Sequence, residues 1–412
     1  MALLKFFKII LLLIGDLAVF ILSLYLSILI RYNFSFNPTI FHSASLYFLP
    51  VFLMWLIIFV IGRMYELSYT INKRAFFERV IRVFTANIIF AILYFYIFTP
   101  NYYRPKLVLV MTVILSFFLF NLWRVLANII IKLKKIRIKI NSSKPLAQEI
   151  KDTIRNNPQL GYQIEDDITK ATLIVQDEKD KDSRTISLME FAESITGRIS
   201  LDLLTSAWFQ IIIETKDIIR YENIKRALDF IGAIILLLIS LPLWPLIALA
   251  IKLDSSGPVL YRSIRLGKNR KKFFIYKFRT MVSNADKIGP SWTLKGDLRI
   301  TKVGKVLRFT HLDEVPQVLN ILKGDISFVG PRPEEEKLIE LFDKEIPFYQ
   351  YRFLMLPGVI VWAQINYPHG ASSEDARKKL EYDFYYFKNR SLVFDFIISL
   401  KAWRIPFEIP TH

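Results

Sequence analysis

The sequence predicts a membrane protein of mixed α and α/β class. Four N-terminal transmembrane helices precede a small cytoplasmic α/β insert and a monotopic α/β C-terminal domain that carries a re-entrant helix. Three observations predict this. Hydrophobic residues make up 53% of the chain, above the usual share for a soluble protein of 412 residues. Apolar runs long enough to cross about 30 Å of hydrocarbon crowd the first third. Lys and Arg outnumber Asp and Glu by 55 to 37, a formal net charge of +18, and they gather where those runs end.

The predicted spans lie near 6–30, 45–62, 80–98 and 107–131. The first run, Phe6 to Ile30, is too long for the core of a signal peptide and lacks a small-residue cleavage pattern, so it reads as a span. The aromatic load, 34 Phe and 19 Tyr, suits spans with interfacial belts. Cations collect at Lys5 and Lys8, at Arg63, Lys73, Arg74, Arg79 and Arg82, and again at Lys132, Lys134, Lys135, Arg137 and Lys139. The alternate loops hold few, so the positive-inside rule places both ends of this domain, 1–131, in the cytoplasm. Asp16 and Arg124 fall within spans and mark either a lipid or proton path or a contact with a neighbouring helix.

From 132 to 223 the chain turns polar. Strands are predicted at 136–140 and 171–175, with helices at 144–156 and from Ser187, a small α/β pattern. The first strand leads into Asn-Ser-Ser-Lys-Pro without a glycine, so a dinucleotide loop is not expected and the insert reads as structural or regulatory.

The third domain, 224–412, opens with an apolar run from Ala227 to Leu253. Ser240, Pro242 and Pro245 interrupt it; each proline removes an amide donor and crowds the preceding turn, so a sharp break is expected. Both flanks are basic, and residues 252–280 hold nine Lys/Arg against one acid, Asp254. Equal charge on both flanks predicts that 227–251 dips into one leaflet and returns to the cytoplasmic side; a proline-kinked fifth span is the alternative.

The absence of Cys excludes disulfides, thiolate metal sites and cysteine nucleophiles, and four scattered His do not form a metal motif. The positive charge calls for an anionic partner: lipid headgroups, nucleotide phosphates or nucleic acid. Charge placed at membrane edges disfavours nucleic acid.

Three motifs carry the chemistry. In Tyr-Lys-Phe-Arg-Thr-Met (276–281), the alternation of Phe273, Ile275, Lys277 and Arg279 predicts a strand with cations on one face. Such cations would clamp a transferring phosphoryl group, although a solvated strand face reads the same way. In 308–325, Pro316 is tolerated only in a first helical turn, so a helix is predicted to start near Leu312 with Asp313 and Glu314 at its N-terminus. Unpaired amides there attract phosphate and hold a carboxylate's pKa down, keeping Asp313 an anionic nucleophile or metal ligand. Asp313, Gln317 and Asn320 share one face, while Val318, Leu319 and Leu322 supply the buried side. A capping acid on a solvated helix has the same pattern. In Ser-Phe-Val-Gly-Pro-Arg-Pro (327–333), Gly330 and two prolines fix a turn that projects Arg332 for two-pronged phosphate recognition.

Taken together and in this order, the stretch from about Lys225 to Phe407 resembles the bacterial sugar transferase family, the polyprenyl-phosphate hexose-1-phosphate transferases. The matching pieces are Lys-Arg-Ala-Leu-Asp-Phe (225–230), Leu-Asp-Ser-Ser-Gly-Pro-Val (253–259), the three motifs above, Pro-Gly-Val-Ile-Val-Trp-Ala-Gln-Ile-Asn (357–366) and the tail 380–395. Four spans and an insert in front look like the family's larger polytopic branch, and the resemblance implies that 132–223 is a shortened, Rossmann-like remnant.

The resemblance implies a priming enzyme of exopolysaccharide, O-antigen or other glycoconjugate synthesis, in the bacterial inner membrane with its catalytic domain cytoplasmic. It implies that Asp313 attacks the β-phosphate of a UDP-sugar, releasing UMP, and that a polyprenyl (undecaprenyl) phosphate then takes the sugar-1-phosphate. Glu314 assists the metal or the lipid phosphate. Mg²⁺ is the implied cofactor, with Asp313 as its ligand. Arg308 and Arg332 correspond to the family's phosphate-binding arginines, and Lys277, Arg279 and Gln317 complete the substrate-binding candidates. Membrane lipid and a second copy in a homodimer are further expected partners; nucleic acid is not. His311 stands where the family usually has Ser, and Leu356 to Tyr367 depart from its common Arg-Pro-Gly-Ile-Thr-Gly-Trp-Ala-Gln-Val-Asn-Gly, which leaves the sugar open. Two other readings remain: a non-catalytic scaffold or regulator of polysaccharide assembly, and a metal-dependent glycosyltransferase that releases UDP.

Overall fold

The computed structural model describes residues 2–35, 37–62, 64–65, 73–98, 105–130, 135–157, 160–178, 180, 183–213, 217–283, 285, 297–367, 370 and 372–402. Arg63, Lys132 and Lys134, three of the cations counted above, lie outside the described residues, as does Phe407. The chain packs as two compact units, Met1–Ile186 and Ser187–His412. The boundary falls inside the 132–223 segment: its strands up to Ile186 belong to the first unit and the helix from Leu188 belongs to the second.

The first unit contains α1 (Ala2–Arg31), α2 (Pro38–Ile61), α3 (Lys73–Ile97) and α4 (Lys106–Ile130). Each predicted span falls on one of them. α2 begins earlier than its apolar run, because Asn37 caps it: the Asn37 carboxamide oxygen accepts from Thr39 N at 3.0 Å and Pro38 occupies the first turn. The helices are apolar on every side. Phe20, Phe48, Trp55, Phe59 and Phe120 fill the interior while Leu22, Leu53, Ile92 and Phe118 face outward, as expected of helices surrounded by lipid.

Asp16 and Arg124 meet inside this bundle, joining α1 to α4 through Arg124 Nη2 and Asp16 Oδ2 at 2.6 Å. Both are fully buried, so the neighbouring-helix reading describes their position. After α4 come β1 (Ile136–Asn141), α5 (Pro145–Asn156), β2 (Tyr162–Ile164), β3 (Leu173–Gln176) and β4 (Thr185–Ser187). The sheet order is β2-β1-β3-β4, with β1 parallel to β2 and β3. Short β2 and β4 carry too few alternating residues to have been read from periodicity.

The second unit begins with α6 (Leu188–Thr196), α7 (Ser206–Ile213) and α8 (Asp217–Ser240). A 3-10 turn at Leu241–Leu243 holding Pro242 separates α8 from α9 (Trp244–Asp254), whose first turn holds Pro245. Ser240 Oγ donates to Leu237 O and accepts from Trp244 Nε1, each at 3.3 Å, across that break. Next come β5 (Leu260–Leu266) and β6 (Lys272–Phe278), an antiparallel hairpin pairing Leu260 with Phe278. Then follow α10 (Lys302–Thr310), a 3-10 helix (Leu312–Gln317), α11 (Val318–Lys323), β7 (Ser327–Val329) and α12 (Glu336–Glu345). The unit closes with β8 (Gly358–Ile360), α13 (Trp362–Asn366), α14 (Ser373–Asn389) and α15 (Leu392–Ala402). β7 and β8 pair in parallel, Ser327 with Gly358 and Val329 with Ile360.

Among the described residues, five helical stretches are long and apolar enough to cross a membrane: one on each of α1–α4, and Arg220–Asp254 across the broken α8–α9 pair.

Candidate active site

The site grows from the outer edge of β6. Phe273 and Ile275 point inward and pack with Val318, Ile321, Ile326 and Ala233. Lys277 continues that inward face and is half-buried. β6 pairs with a strand on one side only. On the other side Asn320 takes the place of a strand: its Oδ1 accepts from Tyr276 N at 3.1 Å and its Nδ2 donates to Phe274 O at 2.6 Å. Asn320 shares a buried face with Asp313 and Gln317, but its polar atoms are committed to β6.

The Asn320 contacts set the preceding 3-10 helix against Lys277. Helical structure starts at Leu312 as Pro316 predicted, but its first six residues are 3-10, and the α-helical part begins only at Val318. His311, in a left-handed conformation at φ 55°, ends α10 and turns the chain into this segment. Lys277 Nζ then lies 2.5 Å from Glu314 Oε1. Asp313 is buried beside them, and its Oδ1 has no hydrogen-bond partner among the described residues.

Electrostatics separate the two carboxylates. Burial pushes the Asp313 pKa up, the Glu314 charge pushes it further, and Lys277, Arg308 and His311 oppose. The sequence reading expected the opposite direction. The helix that follows is short and its α-helical turns begin beyond Asp313, so desolvation outweighs any dipole. Burial also works against charge on Glu314, but Lys277 and Arg332 together hold its pKa below the usual value.

The arginines divide. Arg308 comes from α10, which lies so close to the chain at Thr280 that a Cβ on Gly304 would sit 2.1 Å from Thr280 O. Arg308 Nε donates to Thr280 Oγ1 at 2.9 Å, and its charge acts on Asp313. Arg332 is half-buried and its charge acts on Glu314 and Lys277. Arg279 is placed differently: Nη1 donates to Ser256 O at 2.8 Å, and Nη2 to Ser255 O at 2.6 Å and Ser255 Oγ at 3.1 Å. It clamps the chain leaving α9. Gly257, at φ 118°, makes room for it, since a Cβ there would sit 2.2 Å from Arg279 Nη1.

Lys277, Arg279, Arg308, Asp313, Glu314 and Arg332 all line one cleft of about 1290 Å³. Gln317 lines a small adjoining recess with Lys277, Glu314 and Arg332. The cleft lining also includes groups that the motifs did not reveal: Glu334, Arg352, Tyr367, Lys379 and Asp383. Arg352 had a signal, being a lone cation in the aromatic and apolar run Tyr-Gln-Tyr-Arg-Phe-Leu (349–354), which marks a buried, paired residue.

A cleft of this size, walled by cations and holding one unpaired carboxylate, is suited to a diphosphate ester and to chemistry at phosphorus. The family model described as "Bacterial sugar transferase" matches residues 220–408. The exopolysaccharide production protein PSS of Rhizobium leguminosarum bv. phaseoli is 40% identical over 178 residues, covering 42% of this chain and 89% of that protein.

The chain belongs to the bacterial sugar transferase family.

Among other relatives, the UDP-N-acetylgalactosamine-undecaprenyl-phosphate N-acetylgalactosaminephosphotransferase of Aeromonas hydrophila is 42% identical over 217 residues, 53% of this chain and 51% of that protein. The UDP-glucose:undecaprenyl-phosphate glucose-1-phosphate transferase of Escherichia coli (strain K12) is 42% identical over 175 residues, 42% of this chain and 38% of that protein. The chain thus spans about half the length of the Aeromonas relative. The family match begins at the start of the broken α8–α9 pair and takes in every motif that builds the cleft.

Proposed function

We propose that the protein transfers a sugar-1-phosphate from a UDP-sugar to undecaprenyl phosphate, the priming step of exopolysaccharide, O-antigen or a related glycoconjugate. The observation that carries this reading is the cleft: Asp313 with an unpaired buried oxygen, set between Arg308 and the Lys277–Glu314 pair, in a chain of this family. The names of the Aeromonas and Escherichia coli relatives support the substrate classes.

A carboxylate oxygen of Asp313 attacks the β-phosphorus of the UDP-sugar. The new O–P bond forms as the bridging P–O bond breaks, and UMP departs with that bonding pair. The sugar-phosphate stays on Asp313 as an acyl phosphate, an activated form. A phosphate oxygen of the lipid then attacks the same phosphorus, Asp313 leaves as carboxylate, and the product is polyprenyl-diphosphate-sugar. Arg308 and Arg332 hold the transferring phosphate. Glu314, kept ionised by Lys277 and Arg332, orients the lysine and the acceptor.

Mg²⁺ fits this site. No cluster of three His, Asp or Glu side chains gathers among the described residues, but Mg²⁺ commonly takes one or two carboxylates and completes its shell with phosphate oxygens and water. The unpaired Oδ1 of Asp313 supplies such an oxygen. The ion, when bound, neutralises diphosphate charge.

α1–α4 are four crossings of the bacterial inner membrane, and α8–α9 is a re-entrant hairpin with the catalytic domain on the cytoplasmic side. Both ends of the hairpin are bonded to that one domain. Near its start Arg226 donates to Ile321 O and Leu322 O at 2.5 and 2.9 Å. At its far end Asp254 accepts from Val303 N at 2.8 Å. Outward-facing Ile235, Leu238, Ile239 and Leu246 supply the lipid-facing surface.

The test uses enzyme and UDP-sugar without acceptor, quenched, digested and searched by mass spectrometry for a sugar-phosphate on the peptide holding Asp313. UMP release with an adduct is expected, and Asp313→Asn should abolish both. UDP as the product, or full activity in Asp313→Asn without an adduct, would overturn the reading.

A further inference from the structure

We propose that Arg352 is a positioning residue for Arg332, acting through the main chain of the Gly-Pro-Arg-Pro turn; this rests on the functional reading above. The turn is held residue by residue. Gly330 N donates to Ile360 O at 3.0 Å, Gly358 N donates to Pro331 O at 2.8 Å, and Leu266 N donates to Glu334 O at 3.3 Å. These backbone contacts come from β8 and the end of β5. Two glycines permit this approach, since a Cβ on Gly358 would lie 2.1 Å from Gly330 N and one on Gly330 would lie 2.5 Å from Leu356 O.

The carbonyl of Arg332 itself is left between these backbone contacts, and it is held by a side chain. Arg352 Nη2 donates to Arg332 O at 2.6 Å. The rest of the guanidinium is fixed from behind: Nε donates to Asp383 Oδ2 on α14 at 2.8 Å, and Nη1 donates to the Tyr349 hydroxyl at 3.2 Å. Arg352 and Asp383 are both buried, so neither swings freely. A planar guanidinium can satisfy an acid, a phenol and a carbonyl at once, whereas an ammonium lacks that fork. Arg352 thereby ties the main chain of the phosphate-binding turn to α14, and the Arg332 side chain inherits its direction.

The inference separates from a purely structural role by a double-mutant cycle. Arg352→Lys keeps a charge for Asp383 and loses the fork. It should retain the unfolding temperature within a few degrees while kcat/KM for UDP-sugar falls by about 100-fold, as small displacements of a catalytic group can cause. Placed on Arg332→Ala, the same change should lower kcat/KM by less than about threefold further, because the group it positions is already gone. Hydrogen exchange over 328–336 supplies a readout that needs no turnover, and Arg352→Lys should speed it by about tenfold. Full multiplication of the two kinetic losses, or unchanged exchange in Arg352→Lys, would overturn the proposal. Wild-type enzyme without UMP release but with faster exchange in the variant would overturn the functional reading alone.

Discussion

Lys277 and Glu314 meet at 2.5 Å, on the inward face of β6 and the first turn of the 3-10 helix, and this pair divides the labour of two adjacent acids. With Arg332, Lys277 keeps Glu314 ionised despite its enclosure. Asp313, one residue earlier, faces that fixed negative charge, and its pKa is raised by burial first and by Glu314 second. Neighbouring carboxylates pushed in opposite directions are a common arrangement where each has its own task.

A pH dependence follows for adduct formation. A carboxylate nucleophile must be ionised, so the rate is full above the Asp313 pKa and falls as pH drops through it. Since that pKa is raised, the acid limb should lie above the ordinary aspartate value. Glu314→Gln removes a charge that raises it, so the limb should move to lower pH. Arg308→Gln removes a charge that lowers it, so the limb should move to higher pH. Single-turnover UMP release against pH measures all three, and coincident limbs would exclude Asp313 as the titrating group.

Arg332→Ala should cost about 3 kcal/mol of transition-state stabilisation, typical for loss of one preorganised donor. Arg332→Lys should recover only part, because a point charge does not reproduce a two-pronged contact. Steady-state kcat/KM for UDP-sugar gives both values. Near-wild-type activity in the alanine variant would remove Arg332 from the phosphate site.

Arg279 should behave as part of the scaffold. Its guanidinium is bonded to the carbonyls of Ser255 and Ser256, so Arg279→Ala should lower the unfolding temperature. Gly257→Ala should do so more severely, adding about 1 to 3 kcal/mol of backbone strain at positive φ to a steric collision with Arg279. Unfolding in detergent, followed by circular dichroism, reads both. An Arg279→Ala enzyme with wild-type stability and no turnover would return this residue to the substrate site.

Long elements with one strong period were legible in the sequence. The four apolar helices and the strands at 136–140 and 171–175 fall where hydropathy and alternation placed them. The start of helical structure at Leu312 was visible because Pro316 restricts where a helix can start. The direction of the Asp313 pKa was not, because a sequence shows which acids adjoin but not how deeply they are buried. The Arg279 contacts with Ser255 and Ser256 were not legible for a related reason: alternation gives the face of a strand, and the strand stops at Phe278, one residue before it. Arg352 and Asp383 meet across 31 positions, from a 3-10 helix (Tyr349–Leu354) to α14, a pairing that no local pattern encodes.

Inside the bundle, breaking the Asp16–Arg124 pair should destabilise the N-terminal helices. Removing one partner of a buried pair leaves an uncompensated charge and commonly costs about 3 to 5 kcal/mol. Asp16→Leu or Arg124→Leu alone should therefore lower the unfolding temperature of the first unit. The double replacement should recover much of the loss, since two leucines leave no buried charge. Equal stability in both single variants and the wild type would show that the pair contributes nothing to holding α1 on α4.

The broken helix makes the last prediction, and its two ends carry the argument. A straight helix over Arg220–Asp254, 35 residues, would be about 50 Å long, more than enough to cross about 30 Å of hydrocarbon. A crossing would put its ends on opposite sides of the membrane. Yet Arg226 near one end and Asp254 at the other are both hydrogen-bonded to the second unit, to α11 and α10 respectively. One folded domain bonded at both ends supports the proposed return of the helix to the face it entered, with the change of course at the 3-10 turn Leu241–Leu243. The chain has no cysteine, so single cysteines report cleanly. Glu222→Cys and Ser256→Cys should both resist a membrane-impermeant thiol reagent in intact cells and react once the membrane is opened. Labelling of position 256 alone from outside would establish a true fifth crossing. Pro242→Ala with Pro245→Ala restores amide donors at the break, and should favour a straighter helix at the expense of the hydrogen bonds at one end. Loss of activity together with new outside labelling at 256 in that variant is the expected result. Unchanged labelling and full activity would mean that the contacts made by Arg226 and Asp254, rather than the prolines, decide the path of the chain.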